Sequence, residues 1–576
     1  MGLPEAAIPC ANPRGAAGLE SSAYGSGPRP APGLIASCDQ PCYCCLAMKF
    51  PRRDLFRGAG ILAALQALPR RVFGGPLRIG TDIYDSIGVR PLVNCKGTFT
   101  IISGSQTLPD VKAAMDAASR HYVHLDELMD AVGKRLAELT QAEWGMVSCG
   151  CAAALAHSTA AAVAGADPEK LQRLPDTRGM KNEVIAPAYS RNVYDHAVRA
   201  VGVSIIDVRT VEEYRRAFNE RTAMVMVLAS PEDRGALGLP VLAPIAKERG
   251  VPVLVDAAAE RLTIPNVHLT RGADLVAYSG GKCLRGPQSA GLLLGRKDLV
   301  RAAWLHSAPH HAYGRPMKAG KEEIMGMLAA VEAWVKRNHD AEWKEWESWL
   351  DEIAGAVTRV AGVTTRVLQP NGLSNNAPRL EIRWDGEALG ISGEQAEKLL
   401  LDGSPRIILG GSAGSRRTGV KESSLTVMPY MMMPGDQKIA ARRIQEVLGS
   451  ASRQAPAPRR APAFDLSGQW DVAIEYVLGK ADHSLVFEQK EARLVGTHSG
   501  EFLRGDLSGA VEGDEVWFRS SHRYEGTRIG YEFVGRATPD AIAGTVGLGE
   551  YGEAKFTARR HAYGRPGGTV RPVKNV

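Results

Sequence analysis

One lysine of this sequence stands in a glycine-rich turn, Lys282 in Tyr-Ser-Gly-Gly-Lys-Cys-Leu-Arg-Gly-Pro, and an apolar run, Val-Leu-Val-Asp, ends upstream at Asp256. A free lysine has a pKa of about 10.4, so a Schiff-base lysine needs a site that lowers this value. Glycines admit a bulky aromatic ring, and an aspartate at a strand end can keep a pyridine nitrogen protonated. Taken singly, each is an ordinary loop lysine or strand-end acid. Together they predict a pyridoxal phosphate site with Lys282 and Asp256 as catalytic groups.

A third segment, Ser148 to Cys151, follows a short apolar run and precedes an alanine-rich stretch. Its small residues allow close backbone approach. A helix that starts here offers free N–H groups and the positive end of its dipole, which together bind a phosphate. Alanine-rich helices are common, so this segment is informative only because Asp256 and then Lys282 follow it. The chain order is that of a fold-type I pyridoxal phosphate enzyme.

The elements that must position these residues alternate between strand and helix patterns. Apolar runs predict strands at 145–148, 184–186, 203–206, 224–228 and 251–255. Helical periods cover 108–140, 151–163, 242–249 and much of 328–357. Strands that are apolar on both faces, alternating with helices, favour an α/β fold. We expect a mostly parallel seven-stranded sheet with a small α/β domain.

The length of 576 residues leaves room for two or three domains. A Pro/Ala-rich run marks a linker, and short strands with glycine turns after it predict an antiparallel barrel or sandwich. The predicted boundaries are a leader at 1–47, an export signal at 48–75, a cofactor-binding large domain at 76–335, a small domain at 336–450, a linker at 451–463, a small all-β domain at 464–562 and a disordered tail at 563–576.

The all-β region shows no catalytic cluster in its sequence. It contains His483, His498 and His522, which fall on or beside different strands. We expect these histidines at the surface, and we predict no metal site.

The N-terminal region predicts export. Arg52 and Arg53, a Leu-Phe pair and an apolar run resemble a twin-arginine signal, which exports folded proteins. A basic amphipathic helix is the alternative. Met48 directly precedes the signal, so translation starting there would make residues 1–47 a mis-assigned extension. We expect a periplasmic or exported protein, whose signal can remain as an uncleaved membrane anchor because no clear cleavage site follows.

Composition excludes some classes of protein. Hydrophobic residues make up 44% and charged residues 23%, as in soluble globular proteins, and the net charge of +7 is too small for this length to argue for nucleic acid binding. Beyond the leader the cysteines are Cys95, Cys149, Cys151 and Cys283. They form neither a disulfide framework nor a metal pair. We expect four free thiols in segments around one pocket.

Several separated motifs resemble, in order, those of the bacterial selenocysteine synthase family (seryl-tRNA selenium transferase). The motifs are Gly-Val-Arg-Pro-Leu-Val-Asn at 88–94, Gly-Thr at 97–98, Val-Asp-Ala-Ala at 255–258, Gly-Gly-Lys at 280–282 and Gly-Pro-Gln at 286–288. The resemblance spans roughly residues 82–448. It is closer to the family's tRNA-independent members, which include D-glucosaminate-6-phosphate ammonia-lyase.

This resemblance implies pyridoxal 5'-phosphate as the cofactor, with Lys282 as the Schiff-base lysine and Asp256 as the partner of the pyridine nitrogen. The cofactor site that it implies comprises Ser148, Cys149, Gly150, Cys151, Asp256, Ala258, Ser279 and Lys282.

Substrate contacts are implied in the same way. Arg315, Lys318 and Lys321 fall where the family carries basic residues at the active site, and such residues suit an acidic substrate. A solvated basic loop is the alternative. The further candidates for substrate or ring contact, each of which could equally be structural, are Arg191, Tyr194, His196 and Arg406.

Two departures from selenocysteine synthase bear on the substrate. Gly281 stands where that enzyme has an acid, and an export signal occupies the end where it has a tRNA-binding domain. We therefore expect a homo-oligomeric lyase that acts on an amino acid or amino sugar acid and not on tRNA. One alternative is a transferase on the same machinery, either an aminotransferase or a selenocysteine synthase-like selenium transferase. A second is an exported binding protein with a vestigial cofactor site.

Overall fold

The computed structural model describes residues 76–230, 235–412, 422–451 and 460–562. Contacts divide the chain into two units, residues 1–73 and 74–576, and all the described residues belong to the second. The predicted leader, the export signal with Arg52 and Arg53, most of the linker and the tail lie outside the described residues. Within the described ranges, no helix has the length and apolarity needed to cross a membrane.

The first part of the described chain alternates strands with helices. Its strands are β1 (Leu92–Asn94), β2 (Trp144–Ser148), β3 (Glu183–Pro187), β4 (Ser204–Val208), β5 (Thr222–Leu228), β6 (Val253–Asp256), β7 (Leu275–Ser279) and β8 (Gly291–Gly295). Its helices are α1 (Ile83–Ser86), α2 (Pro109–Ser119), α3 (Leu125–Thr140), α4 (Gly150–Ala164), α5 (Pro168–Arg173), α6 (Asp195–Arg199), α7 (Val211–Ala217), α8 (Leu239–Glu248), α9 (Val267–Thr270), α10 (Lys297–Leu305) and α11 (Lys321–Lys336).

Seven of these strands form one sheet in the order β2-β8-β7-β6-β5-β3-β4. All neighbours pair in parallel except at β8, which runs antiparallel to both β2 and β7. The central strands are buried on both faces because helices cover them, and β6 is buried at every position. The mostly parallel seven-stranded sheet is confirmed. The helical period at 108–140 is two helices, α2 and α3, with the break between Ser119 and Leu125.

A smaller α/β region follows. Its elements are α12 (His339–Val357), β9 (Thr364–Leu368), β10 (Arg379–Asp385), α13 (Gly386–Leu389), α14 (Gly393–Asp402), β11 (Arg406–Ile408), β12 (Gly410–Ser412), β13 (Glu422–Val427) and α15 (Asp436–Gly449). Four strands form an antiparallel sheet in the order β12-β13-β10-β9, and β11 pairs in parallel with β1 from the start of the described chain. Helices α12, α14 and α15 pack an apolar core against these strands.

The last described region is a closed antiparallel barrel, which settles the choice between barrel and sandwich. Its strands are β14 (Gly468–Glu475), β15 (Lys480–Lys490), β16 (Arg493–Ser499), β17 (Arg504–Glu512), β18 (Glu515–Tyr524), β19 (Thr527–Ala537), β20 (Ala541–Gly547) and β21 (Glu553–Arg560). Each strand pairs with the next, and β21 pairs with β14 to close the barrel. Strands β17 and β20 contain glycines and few large apolar residues, so their sequences give weak strand signals.

The expectation that the three histidines lie at the surface is wrong. His483, His498 and His522 are 8%, 0% and 1% exposed and lie inside the barrel. Each stands at an inward-facing position of its strand, in phase with residues such as Leu485 and Phe518. His483 Nδ1 lies 2.8 Å from His498 Nε2, and His498 Nδ1 lies 2.6 Å from the Ser520 hydroxyl oxygen. His522 Nε2 lies 3.1 Å from the His498 carbonyl oxygen, so each of the three histidines has a polar partner inside the barrel.

Candidate active site

A cavity of about 540 Å³ lies where β6 and β7 end, beside the first turn of α4. In doubly wound sheets, ligands bind at the carboxyl ends of the parallel strands. The residues of the predicted site that line this cavity are Gly150, Cys151, Tyr194, Asp256, Ala258, Ser279 and Lys282. The fold therefore brings together the three separated motifs that the sequence singled out.

The first turn of α4 forms one wall. Gly150 begins this helix with φ +81°, and no side chain caps its N-terminus. Ser148 donates from its hydroxyl to the Gly150 carbonyl at 2.8 Å, which fixes the turn. A Cβ at Gly291 would lie 2.4 Å from the Gly150 carbonyl carbon, so a glycine there is required for β8 to pack against this turn. The result is a fixed set of backbone N–H groups at the cavity wall.

The lysine turn is hydrogen-bonded to Ala290, the residue before β8, and within itself. The Gly280 N–H donates to the Ala290 carbonyl at 2.8 Å, and the Gly286 N–H donates to the Gly280 carbonyl at 2.9 Å. The Arg285 N–H closes the turn onto the Lys282 carbonyl at 2.9 Å. These bonds hold the lysine-bearing segment against the sheet, with Lys282 on the cavity wall.

Asp256 ends β6 and is 4% exposed. Its Oδ1 accepts the Ala258 N–H at 3.1 Å and lies 3.7 Å from the Cys151 Sγ. Burial raises the pKa of Asp256, and the Ala258 N–H and the Lys282 charge partly oppose this shift. Within the described residues, Asp256 has no ion-pair partner within 4.0 Å. A buried carboxylate without such a partner is stabilised by a cation that enters the cavity.

These features fit pyridoxal phosphate. The uncapped first turn of α4 and the Ser279 and Ser289 residues of the cavity wall suit its phosphate. Asp256 suits its protonated ring nitrogen, and Lys282 its carbonyl carbon. The chemistry of the available groups matches the three polar parts of the cofactor.

The remaining predicted residues lie elsewhere in this chain. Arg191 is held by the carboxylates of Asp195, Asp207 and Glu525, with only 4% of its side chain exposed. His196 and Arg406 do not line the cavity, and Arg406 donates to the Leu401 carbonyl at 3.0 Å.

The three predicted basic residues are also absent from the cavity wall. Arg315 and Lys318 are exposed, and Lys321 pairs with Glu322 at the start of α11. Their contact with a substrate stays a prediction.

Sequence reasoning missed Thr100 and Thr107, which line the cavity. They follow the Gly-Thr motif in a loop without helix or strand periodicity, so only the nearby motif at residues 97–98 signalled this loop. The described cysteines Cys95, Cys149, Cys151 and Cys283 are free thiols, as expected. Of these four, only Cys151 lines the cavity. The expectation that all four surround one pocket is therefore wrong: Cys95 is buried in the apolar core of the small domain, Cys283 lines a different cavity and Cys149 lies outside the cavity wall.

The sequence of this chain is similar to those of several known proteins. A model of the aminotransferase class-V family matches residues 195–317. The chain is 31% identical to a 5'-C-glycyluridine monooxygenase-decarboxylase of Streptomyces sp over 378 residues, which cover 63% of this chain and 92% of that protein. It is 26% identical to D-glucosaminate-6-phosphate ammonia lyase of Salmonella typhimurium over 388 residues, covering 64% and 99% of the two chains.

A solved structure of D-glucosaminate-6-phosphate ammonia-lyase superposes with a TM-score of 0.57 at 26% identity, covering 64% of this chain and 98% of the other. An L-seryl-tRNA(Sec) selenium transferase of Proteus mirabilis is 27% identical over 274 residues, which cover 44% of this chain and 54% of the transferase. The ammonia lyase is thus matched over nearly its whole length, while more than a third of this chain extends beyond the match. The chain is an enzyme that belongs to the selenocysteine synthase-like family of fold-type I pyridoxal phosphate enzymes, in the group that contains D-glucosaminate-6-phosphate ammonia-lyase.

Proposed function

We propose that this enzyme binds pyridoxal phosphate and acts as a lyase on a 2-amino acid or amino sugar acid, releasing ammonia. One observation carries the proposal: Lys282 and the buried Asp256, which has no ion-pair partner among the described residues, share a single cavity with the uncapped first turn of α4. The match to an ammonia lyase over 99% of its length supports the choice of reaction.

The residues of the cavity have distinct tasks in this proposal. Bound pyridoxal phosphate supplies an electron-poor ring that stores the electron pair left when a proton departs from the substrate α-carbon. Lys282 accepts that proton at its Nζ and can return it to the leaving group. Asp256 holds the proton on the ring nitrogen, since a buried carboxylate favours a bound cation. The N–H groups of the first turn of α4 anchor the phosphate.

The names of the relatives narrow the substrate class. Glucosaminate and seryl both denote 2-amino acids that carry oxygen on the adjacent carbon, and glycyl denotes an amino acid unit. We propose a substrate with an α-amino acid group and an oxygen leaving group at the β-carbon. Elimination of that oxygen gives an enamine, and its hydrolysis gives ammonia and a keto acid.

The test is a product assay with candidate substrates that include an amino sugar acid and serine. Ammonia and a keto acid, formed in equal amounts without any added acceptor, are the expected products. Transfer of a labelled amino group to an added keto acid, without free ammonia, would instead establish a transaminase.

A second candidate reaction is favoured by the 31% identity to the monooxygenase-decarboxylase. In that case the enzyme would consume oxygen and release carbon dioxide from an amino acid. An oxygen electrode separates the two: a lyase turns over equally well under argon, and an oxygenase stops.

We also propose that the protein is exported by the twin-arginine pathway and assembles as a homodimer or larger homo-oligomer. Replacing Arg52 and Arg53 by lysine should keep the protein in the cytoplasm, and fractionation of cells checks this. Equal periplasmic yield of the double variant would reject the export proposal. Light scattering of the purified protein measures the oligomer, and a monomer would reject the assembly proposal.

A further inference from the structure

The β18–β19 hairpin of the barrel contacts the segment that carries a residue of the cofactor cavity. Glu525 and Gly526 form the tip of this hairpin, between the paired residues Tyr524 and Thr527. The tip lies against residues 190–199, which contain Tyr194, and Tyr194 lines the cavity together with Lys282.

The contact is built around a buried charge. Arg191 pairs through separate nitrogens with Asp195, Asp207 and Glu525. The Arg191–Asp195 distance is 2.5 Å, and the two side chains are 4% and 1% exposed. Two of the three carboxylates come from the large domain and one from the barrel, so the hairpin supplies the third acidic partner of an arginine that lies three residues before Tyr194.

Gly526 fits this contact because it has no side chain. A Cβ at this position would lie 2.3 Å from the Asn192 carbonyl oxygen and 2.4 Å from Asp195 Oδ2. Both distances are below any real carbon contact, and the first involves a backbone atom that cannot rotate away. On the other side of the contact, the Arg199 guanidinium lies 5.5 Å from the Tyr524 ring centroid. The hairpin tip and the segment are therefore closely packed from Arg191 to Arg199.

A second part of the barrel approaches the same place. Tyr194 is 49% exposed. Its partial burial raises the pKa of its hydroxyl, and the charges of Asp256 and, more weakly, Glu550 add to this shift. Glu550 lies in the turn Gly549–Tyr551 between β20 and β21. Charges from the cofactor site and from the barrel thus act on one tyrosine.

We propose that the barrel is an integral part of the active site, and that Glu525 and Gly526 are positioning residues that hold Tyr194 at the wall of the cofactor cavity. This inference rests on the proposed function for its catalytic readout. Its structural readout, the order of residues 190–199, does not depend on the cofactor.

The experiment compares two substitutions in the full-length protein. Gly526→Ala introduces the overlap described above. Gly530→Ala places the same methyl group on β19 of the same hairpin, where nothing lies within 4 Å, so it is the matched control. Hydrogen exchange of residues 190–199 in the cofactor-free protein should be about tenfold faster in Gly526→Ala, because local opening then costs less. In Gly530→Ala it should match wild type.

The affinity for the cofactor and the steady-state kinetic constants are measured next on the same variants. Titration with pyridoxal 5'-phosphate should give a dissociation constant about fivefold weaker for Gly526→Ala, and KM should rise more than kcat falls, because the segment shapes binding more than proton transfer. In a Tyr194→Ala background the same glycine change should cost less than about twofold, because the two residues act through one contact.

Glu525→Gln is a milder second variant that keeps the test decisive where Gly526→Ala does not fold. It keeps the backbone and the size of the side chain, and Arg191 remains paired with Asp195 and Asp207. It should shift exchange in the same direction by about threefold, and Glu525→Asp should restore part of the difference. Equal exchange in Gly526→Ala, Glu525→Gln and Gly530→Ala would overturn the inference. Failure of the wild-type protein to bind pyridoxal phosphate would overturn the proposed function, while the exchange result would still stand.

Discussion

The cofactor cavity and the interior of the barrel both contain buried polar side chains, and they differ in how those side chains are partnered. In the barrel, His498 uses both ring nitrogens, one toward His483 and one toward Ser520. In the cavity, Asp256 accepts the Ala258 N–H and lies near a thiol, but its charge has no partner among the described residues. Burial is similar in both places, so burial alone does not mark a functional site. An unpaired buried charge beside a cavity does.

This distinction predicts that substitutions in the cavity change activity with little effect on stability, and that substitutions in the barrel cluster change stability with little effect on activity. The largest expected effect is at Lys282. Lys282→Ala should lower turnover by on the order of 10⁴-fold, because both the covalent attachment and the proton acceptor are removed. The thermal midpoint of the cofactor-free protein should stay within a few degrees of wild type. Retention of a dialysis-resistant visible absorbance in this variant would show that another residue binds the cofactor.

Asp256→Asn should have the next largest effect. It keeps the size and the hydrogen bond from Ala258 but removes the charge, so kcat should fall about 100-fold, as for loss of one preorganised electrostatic contact. Because burial raises the pKa of Asp256, removing the charge should not destabilise the cofactor-free protein. Steady-state kinetics and thermal unfolding check both parts. Activity within threefold of wild type would make Asp256 a structural residue.

The cofactor cavity could be predicted from the sequence and the histidine cluster of the barrel could not. The cavity could be located because Lys282, Asp256 and the residues after Ser148 have chemical types and local spacings that a cofactor requires. The histidine cluster could not be located in that way, because its members come from separate strands and meet only when the barrel closes. The sequence does contain one signal. On β18, where the buried residues alternate with more exposed ones, His522 lies an even number of positions from the buried Phe518 and therefore on the same face.

The ion pair between Arg191 and Glu525 could not be predicted from the sequence either. These residues are separated by most of the chain, and nothing local to either one indicates a partner. The family resemblance makes Arg191 a candidate for substrate contact, and it carries no information about a partner on the barrel. Long-range ion pairs depend on how two domains pack, which neither periodicity nor a short motif encodes.

The barrel cluster predicts a pH effect on stability. Burial, and then the neighbouring His483 and His522, lower the pKa of His498 from its ordinary 6.5 to about 3. The unfolded chain therefore binds a proton below pH 6.5 that the folded barrel excludes. The contribution of His498 to stability is fully present above that pH and falls, as pH drops toward about 3, by about 1.4 kcal/mol per pH unit.

His498→Gln should make this pH slope shallower by about one proton while leaving turnover within about threefold. Hydrogen exchange of β16 and β18 at about pH 7 and about pH 5 measures the local free energy of opening. His121→Gln is the control, since His121 is exposed on the large domain. An unchanged slope in His498→Gln would show that the cluster is not what titrates.

The smallest effect should come from substitutions of Cys151. They distinguish a thiol that only supports Asp256 from a thiol that takes part in the reaction. Burial and then the Asp256 charge raise the pKa of this thiol, so it stays protonated and serves only as a weak donor to Asp256 Oδ1. Cys151→Ala removes that donor but leaves the Ala258 N–H at 3.1 Å, so cofactor affinity should fall by no more than about threefold. Cys151→Ser should match or exceed wild type, because a hydroxyl is the stronger donor. Cys149→Ala, at a half-buried position outside the cavity wall, should leave affinity unchanged. If Cys151→Ala lowered kcat as much as Asp256→Asn does, the thiol would contact the reacting atoms. The thiol and the Asp256 carboxylate would then share one role in the cavity.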